Sequence, residues 1–297
     1  MKYIFILNAN AGEHTANNVQ EELKAYQDKI EYSIHLTTAK KEATEFIKSY
    51  CEQNPQEETC FVACGGDGTI NEVVSGLVGA TNKCFAILSY GSGNDFIKCF
   101  PDKNFVSLEK LFNGTKQQID IMQVNDSYSI NVINCGFDAK VGSVANKVKE
   151  KGGKSPYGKG VFNAIFTSMV NKIDVYADGE KIGGDNKMLM CNLSNGKYCG
   201  GKYLCAPNSI MDDGFMELCY FKPVSLFTFL KILKPYERGE HIGHPKLTKI
   251  LTYKRVQKVK IVSKKPTELS LDGEMLSGQE FNITILQKAI TLVVPQD

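Results

Sequence analysis

Cys60 to Glu72 reads CFVACGGDGTINE, an apolar run that breaks into Gly65-Gly66-Asp67-Gly68-Thr69 and continues as a helix-like stretch. Three glycines around one carboxylate at a strand-to-helix turn exceed what packing requires. Glycine lets the backbone approach a ligand closely, and successive N–H groups at a helix start form a cradle for an anion. The turn therefore predicts phosphate binding, with Asp67 available to a metal ion or an acceptor hydroxyl.

The rest of the first 120 residues repeats this punctuation. Residues 2–8, 31–37, 59–64 and 84–90 are short runs rich in β-branched and aromatic side chains, separated by helical patterns over 16–26, 40–51 and 70–77 and followed by one over 106–112. Such alternation predicts a parallel sheet with covering helices, in which ligands sit at the carboxyl ends of the strands. Residues 8–12, Thr37, the 65–69 turn and residues 89–95 all fall there.

After about residue 120 the pattern changes. Two strands flank an Asn125-Asp126 turn, and further runs at 173–177, 187–193, 215–221, 256–262, 267–271 and 281–286 read as strands, most joined by turn chemistry such as Asp178-Gly179, Asp213-Gly214 and Asp272-Gly273. Helical stretches at 161–170 and 225–233 interrupt them. This predicts an antiparallel, sandwich-like second domain. A length of 297 residues agrees with two domains.

No apolar run approaches the roughly 18 residues of a spanning helix, and the opening MKYIFILNANAG reads as a buried first strand rather than a leader. The ten cysteines are scattered, several inside apolar runs and none as C-x-x-C, and the four histidines do not cluster. They read as buried thiols of a reducing cytoplasm. Charge is uneven. Residues 1–120 carry 11 Lys+Arg against 16 Asp+Glu, and the remainder 24 against 17. The basic stretches 147–159 and 254–265 suit an anionic membrane surface or nucleic acid, or form a solvated lysine face.

Two nucleotide signatures fail. Gly153-Lys154-Ser155 resembles a P-loop tail, but Val148 stands where the earlier glycine belongs; Gly91-Ser92-Gly93 opens a dinucleotide fingerprint that Phe96 does not close. As a plain glycine-rich loop, Ser89-Tyr90-Gly91-Ser92-Gly93-Asn94-Asp95-Phe96 could still approach phosphate, with Asp95 on a cation. Leu271-Asp272-Gly273-Glu274 is either a hairpin turn or a carboxylate pair for general-base work, and Asp212-Asp213-Gly214 is equally ambiguous. Residues 226–233 (LFTFLKIL) read as a core helix or as an apolar groove for an acyl chain.

Taken in order, these motifs resemble the diacylglycerol kinase catalytic-domain family of lipid kinases, which includes bacterial diacylglycerol kinases and the sphingosine and ceramide kinases. The 65–69 turn with Asn71-Glu72 matches GGDGTxNE; residues 89–96 resemble PxGTxNDF; Asn134-Cys135-Gly136-Phe137-Asp138 resembles GxGFDA; Asn195-Gly196, Gly200-Gly201, Ala206-Pro207 and Asp212-Asp213-Gly214 resemble NGxxxGGG…AP…DDG; and residues 271–274 match LDGE. The resemblance implies a Rossmann-like α/β nucleotide domain over 1–120, joined by 287–297, and a mainly antiparallel β-sandwich over 121–286 for lipid. It implies ATP as co-substrate, held by Asn8, Asn10, Gly12, Thr37, Gly65, Gly66, Asp67, Gly68, Thr69, Asn71, Glu72 and Ser92. It further implies Mg²⁺ within an acidic network of Asp67, Asp95 and Asp120, and a base from Asp272 and Glu274. A structural Mg²⁺ would be held by Asp213 with the carbonyls of Ile210 and Phe215. The implied partners are a lipid such as diacylglycerol, a transient peripheral contact with the inner membrane surface, a second copy of the chain in a homodimer, and no nucleic acid. Residues 8–12 lack the proline and hydroxyl of the usual NPxSG, and Ser89 and Ser92 replace a proline and a threonine. NAD kinase, which shares a GGDG turn, and a non-catalytic nucleotide- or lipid-binding regulator are the rival readings.

Overall fold

A computed structural model describes residues 1–8, 13–91, 93–150 and 156–296. The expected contacts Asn10, Gly12 and Ser92, and the tripeptide Gly153-Lys154-Ser155, lie outside the described residues. Two compact units are formed, one from Met1–Ile121 with Gln287–Asp297 and one from Met122–Leu286.

The first unit alternates strands and helices: β1 (Lys2–Asn8), α1 (Glu13–Lys24), β2 (Tyr32–Thr37), α2 (Glu42–Gln53), β3 (Thr59–Gly65), α3 (Asp67–Leu77), β4 (Lys83–Ser89) and α4 (Leu108–Phe112). The strands run parallel in the order β2-β1-β3-β4. Every residue of β3 is buried, and β1 is buried except at its two ends. Continuous apolar runs of this kind belong to parallel sheets covered on both faces. Tyr3, Phe5, Leu7, Val62 and Leu88 pack on one face with Val19, Leu23 and Leu111. Strand β5 (Thr115–Val124) carries the chain into the second unit, and β15 (Glu274–Val294) carries it back, where Leu292 pairs in parallel with Phe85 of β4.

The second unit contains β6 (Ser127–Ser129), β7 (Val132–Gly136), α5 (Phe137–Glu150), α6 (Pro156–Thr167), β8 (Asn171–Ala177), β9 (Glu180–Ile182), β10 (Lys187–Met188), β11 (Met190–Ser194), β12 (Met216–Phe221), α7 (Leu226–Glu237), β13 (Leu251–Val256) and β14 (Lys258–Leu271). Its pairings are antiparallel. Strand β14 is shared. Residues 259–263 pair with β8, whereas Leu269, Ser270 and Leu271 pair with β7, and the register shifts between Val262 and Thr267. Pro266 lies inside that shift, where a missing N–H is tolerated. One core, with Ile133, Val175, Leu218, Ile261 and Phe281, fills the sandwich. A second, with Phe137, Ala164, Phe221, Phe229 and Tyr236, lies under α5, α6 and α7.

Three strand readings are corrected. The runs 256–262 and 267–271 belong to the single strand β14, residues 187–193 divide into β10 and β11, and 281–286 is the middle of a 21-residue strand. Helix α5 was not anticipated, although Phe137, Val141, Ala145 and Val148 carry helical spacing.

Candidate active site

Gly65 ends β3 directly opposite Ser89 at the end of β4, so the turns after these strands leave the same sheet edge. The Tyr90 N–H donates to the Gly65 carbonyl over 3.1 Å. Beyond them the two backbones touch: a Cβ built on Gly91 would lie 2.3 Å from the Gly66 Cα. The close approach is backbone on backbone, so it cannot relax by turning a side chain. Gly91→Ala is therefore expected to destabilise the protein by about 1–3 kcal/mol, as read by denaturant unfolding. An unchanged unfolding midpoint would contradict the close packing.

Gly66 is the N-cap of α3 and brings no side chain to the N–H groups of the first turn. Asp67 opens the helix half-buried. Its Oδ1 accepts the Phe96 N–H over 3.3 Å, and beside its Oδ2 lies the space that a Cβ on Gly93 would enter, at 2.9 Å. Asn94, at φ 50°, donates from Nδ2 to the Gly91 carbonyl over 2.6 Å, and its Oδ1 is buried with no hydrogen-bond donor. A carboxylate beside an open backbone cradle, with an orphaned acceptor next to it, fits a phosphate-bound divalent cation and a hydroxyl-bearing ligand. Asn94 was not among the expected contacts, because its left-handed backbone is not readable from residue type alone.

Gly68 and Thr69 lie in the first turn of α3, and the remaining expected residues of this unit fall into three pairs. Asn8 and Thr37 are register partners at the ends of β1 and β2, and the Thr37 hydroxyl donates to the Leu7 carbonyl over 3.3 Å. Asn71 and Glu72 brace α3: Asn71 is buried beside Ser75, the Glu72 carboxylate accepts the Lys41 N–H over 3.1 Å, and its carbonyl accepts from Thr44 over 2.8 Å. Among the acidic residues, Asp95 pairs with Lys98 at 2.6 Å, and Asp120, fully buried, accepts the N–H of Lys288 over 2.7 Å. Lys288 has φ 50°, so Asp120 holds a left-handed kink of β15.

In the second unit Asp272-Gly273 forms the tight turn between β14 and β15, with φ 51° and 99°. These are the positive values of a type I′ hairpin. The side chain does more than turn the chain. Asp272 Oδ1 accepts from the Ser129 hydroxyl at 2.8 Å and from the N–H groups of Asn131 and Val132 at 3.0 and 2.9 Å, while Oδ2 accepts the Ile130 N–H at 2.8 Å. Glu274, one residue past the turn, is exposed. Nearby in sequence order, Asp138 at the start of α5 accepts from Asn192 Nδ2 over 3.0 Å, and the same amide reaches the Tyr236 hydroxyl at 2.5 Å. Burial pushes the Asp138 carboxyl above the usual range, against the hydrogen bonds from Asn192 and Tyr236.

In the basic stretch 254–265, three of the six cationic side chains have acidic partners. Lys254 pairs with Glu180 at 2.9 Å, Lys260 with Glu280 at 2.7 Å, and Arg255 with Asp213 and Glu217. None of the ten cysteines is in a disulfide, and burial raises the thiols of Cys64 and Cys191, the latter to about 12.

Residues 2–124 match the diacylglycerol kinase catalytic domain, and residues 131–294 match the YegS C-terminal NAD kinase beta sandwich-like domain. The diacylglycerol kinase of Bacillus subtilis (strain 168) is 30% identical over 282 residues, covering 92% of this chain and 89% of that protein. The chain belongs to the diacylglycerol kinase family. A diacylglycerol kinase of Staphylococcus saprophyticus is 26% identical over 272 residues, covering 90% of this chain and 86% of its own. Family membership makes the protein a phosphotransferase with an alcohol group as acceptor. In fold, a diacylglycerol kinase structure from Bacillus anthracis superposes with a TM-score of 0.70 at 19% identity, covering 99% of this chain and 96% of that one. The diacylglycerol kinase fold, an α/β unit followed by a β-sandwich, thus holds along the whole described chain.

Proposed function

We propose that the protein transfers the γ-phosphoryl group of ATP, with Mg²⁺, to a hydroxyl of diacylglycerol or a similar lipid. The observation that carries this reading is the contact of the 65–69 turn with the 91–96 loop, which presents the α3 N-terminus, Asp67 and the Gly93 cradle together. The first-turn N–H groups of α3 bind the nucleotide phosphates. Asp67 holds the metal ion, with Asp95 and Asp120 as acidic groups of the same unit. A Mg²⁺ ion held there would offset the negative charge of the phosphates. Asn8 and Thr37 contact the nucleotide. Asp272 orients the 129–132 segment, and Glu274 receives the proton of the acceptor hydroxyl. Catalysis is then chiefly positioning and electrostatics.

The test is transfer of label from [γ-³²P]ATP to dispersed lipids, with magnesium present or chelated. Product from diacylglycerol that disappears on chelation is expected. NAD as acceptor should give none, and no lipid product from any member of a panel would leave the regulator reading.

Among the described residues no helix is long and apolar enough to cross a membrane. A transient contact with an anionic bilayer is supported by exposed apolar side chains on two helices of the second unit. On α6, Phe162 and Phe166 stack edge to face at 5.0 Å, and Phe166 is 73% exposed. On α7, Phe227 is 69% exposed with the Lys231 ammonium 4.1 Å from its ring centre. Aromatic rings with adjoining lysines suit the boundary of headgroups and acyl chains. The double variant Phe166→Ser/Phe227→Ser is expected to lose about tenfold in binding to vesicles containing phosphatidylglycerol, measured by flotation, with turnover of short-chain, micelle-free lipid retained. Undiminished flotation would remove these helices from the contact.

A further inference from the structure

The resemblance to lipid kinases implies a structural Mg²⁺ on Asp213 and the carbonyls of Ile210 and Phe215. The residues of the second unit, as folded, do not fit that ion. Strands β12 and β13 are antiparallel with Glu217 opposite Arg255, so the two side chains share one face of the sheet. Arg255 Nε lies 3.4 Å from Glu217 Oε1, and the other end of the guanidinium contacts Asp213 Oδ2. The guanidinium carbon stands 4.6 Å from the centre of the Phe215 ring. The second oxygen of Asp213 accepts the Phe215 N–H over 3.0 Å. Both oxygens of Asp213 therefore have protein partners, and one partner is a permanent cation.

We infer that Arg255 takes the place of a divalent cation at this acidic cluster, so that the second unit of this protein is held together there without metal. A planar guanidinium can fork across two carboxylates. Here it bridges the 213–215 segment and β12 from a register position on β13. An ion placed on Asp213 would face the guanidinium's charge or have to displace it. Glu217 is 2% exposed, and burial pushes its carboxyl upward while Tyr253 and Arg255 act in the opposite direction. The sequence carries Asp212-Asp213-Gly214 in the family pattern, and only strand register reveals that Arg255 reaches it.

The test uses the purified full chain without nucleotide, so that any magnesium bound with ATP does not enter. The thermal midpoint of the unsubstituted protein is expected to agree within about 1 °C in excess magnesium chloride and in EDTA. Arg255→Met, which keeps the stem and removes the charge, is expected to melt roughly 5 °C lower in EDTA and to recover part of that loss as magnesium is added. A fall of several degrees in the unsubstituted protein on chelation would overturn the inference. So would an Arg255→Met protein indifferent to magnesium, since the cluster would then not be a cation site. If Arg255→Met does not fold, electron paramagnetic resonance of Mn²⁺ with the unsubstituted protein decides: bound manganese that Asp213→Asn abolishes overturns the inference, and none supports it.

Discussion

Asp67→Asn is expected to lower ATP-dependent lipid phosphorylation by about a thousandfold, with an unfolding midpoint close to that of the unsubstituted protein. The amide keeps an oxygen for the Phe96 N–H, so the tie between the 65–69 turn and the 91–96 loop survives. What disappears is the negative charge at the start of α3, the group proposed to hold the metal ion against the nucleotide phosphates. A charge at a helix N-terminus contributes about 0.3–1 kcal/mol to stability when exposed and up to about 2 kcal/mol when partly buried, so a thousandfold loss of turnover could not be ascribed to unfolding. Radiolabel transfer to diacylglycerol and thermal unfolding on the same samples separate the two. Retention of more than about a tenth of the turnover would remove Asp67 from the chemistry.

The second large effect separates the two carboxylates of the LDGE turn. Asp272→Ala leaves the Ser129 hydroxyl and the N–H groups of Ile130, Asn131 and Val132 without their acceptor, and all four residues are buried. Each orphaned buried donor costs about 1–3 kcal/mol. Because the four share one site and water can partly replace the carboxylate, a net loss of about 3–5 kcal/mol is expected. Glu274→Gln changes an exposed side chain and should alter stability by less than about 0.5 kcal/mol, while lowering turnover about a hundredfold or more if Glu274 receives the proton. Denaturant unfolding of both variants is the deciding measurement. A full-stability Asp272→Ala protein would refute the anchoring role, and a fully active Glu274→Gln protein would return the base to Asp272.

The fold class was readable because its signals are local. Strands β1 and β3 carry unbroken apolar runs since both faces of a parallel sheet are covered, and the hairpin turns carry Asp-Gly because their backbone needs positive φ. Strand β14 was read as two because Pro266 and its lysine neighbours interrupt the pattern, yet pairing continues across them after a register shift. Strand β15 extends beyond 281–286 for a different reason at each end. Residues 275–280 are half-exposed or polar and are kept extended by pairing with β14, whereas Gln287 and Lys288 interrupt the pattern before the largely buried apolar run 290–294. At the candidate site, the glycine-rich turn and the carboxylate it presents were legible from residue types alone. The closeness of Gly66 to Gly91 was not, since it depends on how two separate turns leave neighbouring strands.

By itself the sequence determined an α/β unit, a β-sandwich and a glycine-rich turn presenting a carboxylate, because side-chain periodicity and backbone freedom act over a few residues. The tertiary structure decided what each acidic side chain does. Asp272 reaches Val132 across 140 positions, Asp120 reaches Lys288 across 168, and Arg255 reaches Asp213 across 42. Such partners are selected by strand register, where a slip of one residue turns a side chain to the opposite face.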